Sequence, residues 1–124
     1  MSMGESVTTT DFGYQLMWAD TDDYNCKILI FNQPGDITPM HFHRDTNKSW
    51  FVNAGRFRIR WIDTTDGNLY EKDVVEGNVF HVPTLMPVSI ESLSASATLA
   101  QVSNQDPDLD YFHINPARGN FDAS

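Results

Sequence analysis

His41 and His43 stand two residues apart in the stretch "GDITPMHFHRDTNKSWFVNAG", Gly35 to Gly55, and Lys48 follows five residues after His43. On an extended strand, side chains at alternate positions leave from one face, so the two imidazoles project together with Phe42 turned the other way. Two such nitrogens are the beginning of a shell for a divalent ion, each about 2.1 Å from it. Mn, Fe, Ni, Zn or Co would each suit donors of this kind, because imidazole and carboxylate ligands discriminate weakly among them. Lys48 runs against that chemistry, since an ammonium beside a dication is repelled unless it sheds its proton. In place of an ion, the same amine would hold a carboxylate or phosphate, or act as an acid or base. The plainer alternatives are a pair of hydrogen-bonded interior histidines and a rim lysine paired with Asp45.

The elements that must position these groups read as strands. "YQLMWA" (14–19), "CKILIFN" (26–32) and "SWFVNA" (49–54) are short apolar runs bounded by turn residues. "RFRIRWI" (56–62) alternates without a break, with Arg56, Arg58 and Arg60 on one face and Phe57, Ile59 and Trp61 on the other. "DTTDGN" (63–68) carries Asp-Gly and predicts a hairpin, so "LYEKDVV" returns as partner strand and sets Glu71 and Asp73 across from the arginines. "NVFHVP" (78–83), "PVSIESL" (87–93) and "ATLAQVS" (97–103) supply three more strands. No segment holds a 3.6-residue period over helical length. Many short strands with regular turns between them predict an all-β sandwich or barrel. The expected organisation is a flexible start at 1–12, one barrel domain at 13–104, and a polar C-terminal tail at 105–124.

With this frame in place, Gly35–Gly55 resembles the first conserved motif of the cupin family. Gly35, His41, His43 and Gly55 match that motif at its spacing, and Lys48 stands where it has Glu. Gly77 and Pro83 match the second motif, in which Leu85 replaces a glycine and Val88 a histidine. The resemblance runs from about Trp18 to Ser103. It implies a single-domain jelly-roll barrel with the site inside its mouth, and a metal held by three histidines and a glutamate. Here His41 and His43 would hold the ion. His81, Asp45, Asp36 and Asn47 are candidates for a replacement ligand, and His81 comes first because it lies on the strand of the second motif, with a hydrogen-bonded core histidine as its plainer reading. On that resemblance the protein is expected to be a metal-dependent enzyme acting on a small polar substrate, such as a sugar or sugar phosphate, by isomerase or epimerase chemistry. Lys48 would then carry a proton or contact phosphate. The alternatives are a degenerate cupin that binds a small anion or carbohydrate without catalysis, with Lys48 and the histidines as donors, and an interaction module with a vestigial pocket.

Composition narrows the partners. The chain of 124 residues is long enough for one domain, and its net charge of −9 repels phosphate backbones and anionic membranes. A small-molecule ligand is expected, with no nucleic acid and no membrane among the partners. The lone Cys26 cannot form an internal disulfide, and the opening "MSMGESVTTTDFG" has neither the basic nor the apolar region of a signal peptide, so a cytoplasmic protein is expected. Exposed strand edges and sheet faces make a homodimer the default assembly. No phosphate-cradling glycine motif, nucleophile elbow or zinc-ribbon spacing occurs. His113, in the tail, has no motif around it.

Overall fold

The alternation of "RFRIRWI" is realised in the computed structural model, which describes residues 7–114: Phe57 and Ile59 are fully buried, and their neighbours face outward. The described chain forms eleven strands: β1 (Val7–Thr10), β2 (Gly13–Asp20), β3 (Asn25–Phe31), β4 (His41–Phe42), β5 (Lys48–Ala54), β6 (Arg56–Ile62), β7 (Leu69–Val75), β8 (Val79–Val82), β9 (Val88–Ser92), β10 (Ala97–Ser103) and β11 (Phe112–His113). A 3-10 turn, Pro107–Leu109, precedes the last. Among the described residues no helix is long and apolar enough to cross a membrane.

Every pairing is antiparallel, in two sheets: β1-β2-β3-β10-β5-β8 and β11-β4-β9-β6-β7. The sheets face each other across a core that includes Leu29, Phe31, Trp50, Val52, Phe57, Ile59, Ile90 and Leu99. This is the jelly-roll expected. Phe12 stacks on Phe31 at 4.3 Å, and Phe31 meets Phe57 edge-on at 5.1 Å, so aromatic rings join one sheet to the other. The arginine stripe pairs across its hairpin as expected: Arg58 is bidentate to Asp73, at 2.7 and 3.0 Å, and Arg60 reaches Glu71 at 3.0 Å. Exposed pairs of this sort are screened by solvent, so they fix register more than stability.

Strand β1 lies within the stretch expected to be a flexible start, and the 3-10 turn and β11 lie within the stretch expected to be a tail. β1 is held by its pairing with β2, while β11 pairs with β4 and brings His113 opposite His41. Residues 1–6 and 115–124, which share those two expectations, lie outside the described residues.

The chain crosses between sheets at Gly55, which joins β5 to β6 with φ at +85°. A Cβ at Gly55 would meet Ala97 Cβ at 2.8 Å and its Cα at 3.0 Å, both on the strand packed beside it. Gly35 and Gly77 also have positive φ, yet nothing lies within 4 Å of a Cβ added at either. Two costs are therefore separable. Gly35→Ala should lower stability by about 1 kcal/mol, the strain of the left-handed backbone alone. Gly55→Ala adds overpacking against Ala97 and should cost about 2–4 kcal/mol in chemical denaturation. Equal losses in the two variants would show that the close approach at Gly55 carries no energy.

Candidate functional site

Strand parity sets the site. On β5, Lys48, Trp50 and Val52 point inward and are buried, whereas Phe51 is exposed. Lys48 thus enters the barrel on the same face as core residues. His41 and His43 also turn inward, both at 3% exposure or less, and Phe42 between them stacks on Phe112. The three side chains meet. Lys48 Nζ lies 3.0 Å from His41 Nε2 and 3.0 Å from His43 Nε2.

The other ring nitrogens are committed to the backbone. His41 Nδ1 is 2.7 Å from the Pro39 carbonyl, and His43 Nδ1 is 2.7 Å from the Asp110 carbonyl. A carbonyl can only accept, so each Nδ1 carries the proton and each Nε2 presents a lone pair to Lys48. The histidines are therefore acceptors within the site, their Nε2 lone pairs directed at Lys48. Lys48 Nζ also lies 4.9 Å from the centre of the Trp50 ring, whose Nε1 donates to Gln101 Oε1 at 2.8 Å. Lys48 makes no ion pair with Asp45; that carboxylate lies 3.7 Å from Arg44 instead.

The segment after β10 closes the site, and nothing in its local sequence announces this. Lys27, buried on β3, binds Asp106 at 2.8 Å and Asp108 at 2.9 Å. Asp110 accepts from the Asp45 backbone at 2.7 Å and from Thr46 Oγ1 at 2.9 Å. The Asp45 N–H holds the Asp110 carboxyl below the usual carboxylate range. Pinned at both ends, the segment lays Tyr111 on His41 at 4.7 Å, nearly parallel. The result is a pocket of about 650 Å³ that reaches His41, His43 and Lys48, with walls that include Leu29, Trp50 and Tyr111.

His81 is not brought to the others. On β8 the inward residues are Phe80 and Val82, and His81 is exposed on the outer face, where its Nδ1 meets Ser49 Oγ at 2.7 Å. The pairing of Lys48 with Val82 and of Ser49 with His81 decides this, because side chains alternate faces on both strands. His113, by contrast, lines the pocket. Tyr111, the Asp110 carbonyl and Lys27 went unforeseen, since only long-range contacts give them a part.

The residues do not fit the metal that the resemblance implies. The two Nε2 lone pairs do converge, but they converge on Lys48 Nζ. Val88, where the motif has its third histidine, sits opposite His41 and is fully buried in the apolar core. Among the described residues, no group of three or more His, Cys, Asp or Glu side chains could hold an ion.

Burial sets the electrostatics. It lowers Lys48 to about 7, against a smaller opposing pull from Asp108. Burial first and Lys48 second bring His41 down to about 3, and the same causes lower His43. Burial also raises the Tyr111 hydroxyl to about 12. The site thus favours neutral rings and an amine that loses its proton far more readily than a lysine in water.

The sequence matches the family described as Cupin over residues 26–115. Solved structures share the fold. The capsular polysaccharide assembling protein CapF from Staphylococcus aureus aligns with a TM-score of 0.76 and 22% identity, over 88% of this chain and 32% of that one. Oxalate decarboxylase from Bacillus subtilis aligns with a TM-score of 0.80 and 18% identity, over 100% of this chain and 36% of that one. KdgF from Halomonas sp. aligns with a TM-score of 0.67 and 14% identity, over 88% of each chain. This chain therefore spans about a third of the length of the first two. No curated protein matches it.

Two measurements probe the site directly. The unfolded chain keeps a proton on Lys48 up to a pKa of about 10.4, and the folded chain only up to about 7. Unfolding therefore takes up a proton in that window, and stability should rise from pH 7 to pH 10 by a few kcal/mol. Lys48→Met should flatten the rise. On the acid side, His41 contributes stability that is complete above about 6.5 and lost as the pH falls toward 3. Secondly, Lys48→Glu would set a carboxylate between two imidazoles, a two-histidine, one-carboxylate set. Its affinity for Mn²⁺ or Ni²⁺ by calorimetry should exceed the wild type's at least about tenfold, that is by about 1.4 kcal/mol. An unchanged affinity would show that ring geometry, and not the lysine, keeps ions out.

Proposed function

Since the chain belongs to the cupin family, we propose that its barrel is a small-molecule pocket organised by an amine where an ion would otherwise stand. One observation carries this reading: Lys48 Nζ lies 3.0 Å from both His41 Nε2 and His43 Nε2. The ion-dependent isomerase or epimerase expected from the resemblance would need that same space. The arrangement favours the other reading, a degenerate cupin whose pocket binds a small anion or carbohydrate.

The ligand's chemistry follows from what faces it. A pocket of about 650 Å³ suits a small molecule, with apolar walls for its carbon skeleton and Thr8, Thr38 and Gln101 among its polar groups. Protonated, Lys48 has a third N–H beyond those given to the two rings, and a charge, for a ligand oxygen. Asp11 and Asp108 also line the pocket, and Lys27 already engages Asp108. Those carboxylates disfavour a doubly charged phosphate and leave a carboxylate or carbonyl oxygen as the better group for Lys48. The Bacillus subtilis relative is named for oxalate, a small dicarboxylate, which agrees with this class.

The test is thermal stabilisation by glyoxylate, oxalate and glucose 6-phosphate, compared between wild type and Lys48→Met. Glyoxylate or oxalate should raise the melting temperature of the wild type alone, by an amount that grows with concentration as ligand linkage requires. Equal shifts in both proteins, or none with either carboxylate, would overturn the reading. A response to glucose 6-phosphate alone would overturn the choice of carboxylate over phosphate.

A further inference from the structure

The geometry points to covalent chemistry at this pocket: we propose that Lys48 condenses with a small aldehyde or ketone to form an imine. This inference rests on the reading of the pocket as a ligand site organised by Lys48, and it names the reacting atom and the substrate's reactive group.

The hydrogen-bond stoichiometry is the first support. A neutral amine has two N–H donors and one lone pair, whereas an ammonium has three donors and none. Lys48 Nζ has two acceptors, the Nε2 atoms of His41 and His43. Both rings are fixed as acceptors by their Nδ1–H bonds to the Pro39 and Asp110 carbonyls. A neutral amine satisfies both acceptors and keeps its lone pair. An ammonium would carry a third N–H for which no described residue provides an acceptor. The pair of histidines therefore holds the neutral amine with both N–H groups satisfied and orients its lone pair, while burial favours that form.

Placement is the second support. Lys48 lines the pocket, so a ligand inside can reach it, and Leu29, Trp50 and Tyr111 give that ligand a weakly hydrated setting. Burial lowers the amine's proton affinity in the same direction. The other two lysines provide the contrast. Lys27 Nζ is clasped by Asp106 and Asp108, at 2.8 and 2.9 Å. Lys72 lies exposed on β7, far in chemistry if not in sequence from any buried acceptor.

The step balances without any further reagent. The Nζ lone pair attacks the carbonyl carbon, an N–C bond forms, and the carbonyl π pair moves to oxygen. A proton passes from nitrogen to that oxygen and gives a carbinolamine. Loss of the hydroxyl with a second proton releases one water and leaves C=N. If the imine is protonated, its single N–H can donate to one Nε2, and the second ring is freed to accept from the bound molecule.

The experiment is reductive trapping of the full-length protein at neutral pH, with propanal or glyoxylate as carbonyl probe and cyanoborohydride as reductant, followed by intact mass and peptide mapping. The expected result is a single adduct at Lys48, formed at least about tenfold faster than any at Lys72, and absent from Lys48→Arg, which keeps a cation and loses the nucleophile. The wild-type ratio of Lys48 to Lys72 decides the matter even where Lys48→Arg fails to fold. Trapping at Lys72 as fast as at Lys48, or none at Lys48, overturns the proposal. If glyoxylate stabilises the wild type against heat yet leaves no adduct, imine formation fails while the pocket reading stands. If it does neither, both fail.

Discussion

The site depends on one nitrogen held between two imidazoles. Lys48 Nζ can occupy that position only because each ring offers it a lone pair, and each ring does so only because its other nitrogen is tied to a carbonyl. One of those carbonyls belongs to Asp110, in the segment that follows the last long strand. That segment is in turn held by Asp106 and Asp108 on Lys27, and by the Asp110 carboxylate on Asp45 and Thr46. The state of the site therefore depends on contacts made well outside it, since the group bound to a histidine's far nitrogen fixes its tautomer.

Two buried lysines in one small barrel meet the same problem in opposite ways. Both enter from strands that flank β10, Lys27 from β3 and Lys48 from β5. Lys27 binds two carboxylates, and it uses that pair to fasten a loop. Lys48 has no carboxylate, only two neutral acceptors and the face of Trp50. A buried charge without an opposite charge costs several kcal/mol, and a titratable group avoids that cost by giving up its proton. Lys27 thus fastens a loop and Lys48 faces the pocket, although both are the same residue type at nearly the same depth.

An amine in this position alters what the barrel can do. A metal ion would act as a Lewis acid that polarises ligand oxygens. A neutral lysine acts through its own lone pair, and a protonated one through a single donor and charge. The change is consistent with the surroundings, since Val88 has become core where the motif has a histidine, and both inward histidines are saturated by Lys48. On the proposed reading, the pocket keeps its place in the fold while its chemistry moves from coordination to nitrogen.

Much of this molecule could be read along the chain. Eight of the observed strands lie where apolar runs and turns put them, because alternation at period two is a local property of sequence. That the arginine stripe faces Glu71 and Asp73 followed from the hairpin, while the register observed decides that Arg58 meets Asp73 and Arg60 meets Glu71. The glycines and histidines of the first motif marked the site. Even the inward direction of Lys48 was present, in the shared parity of Lys48, Trp50 and Val52. What the sequence could not decide was every relation between distant segments. The outward turn of His81 is set by which residues of β5 it faces, and the part played by residues 105–114 is set by Lys27, some eighty positions earlier. Local pattern assigns a side chain to a face, but only the closed barrel determines which faces meet, and so which nitrogen stands between the two histidines.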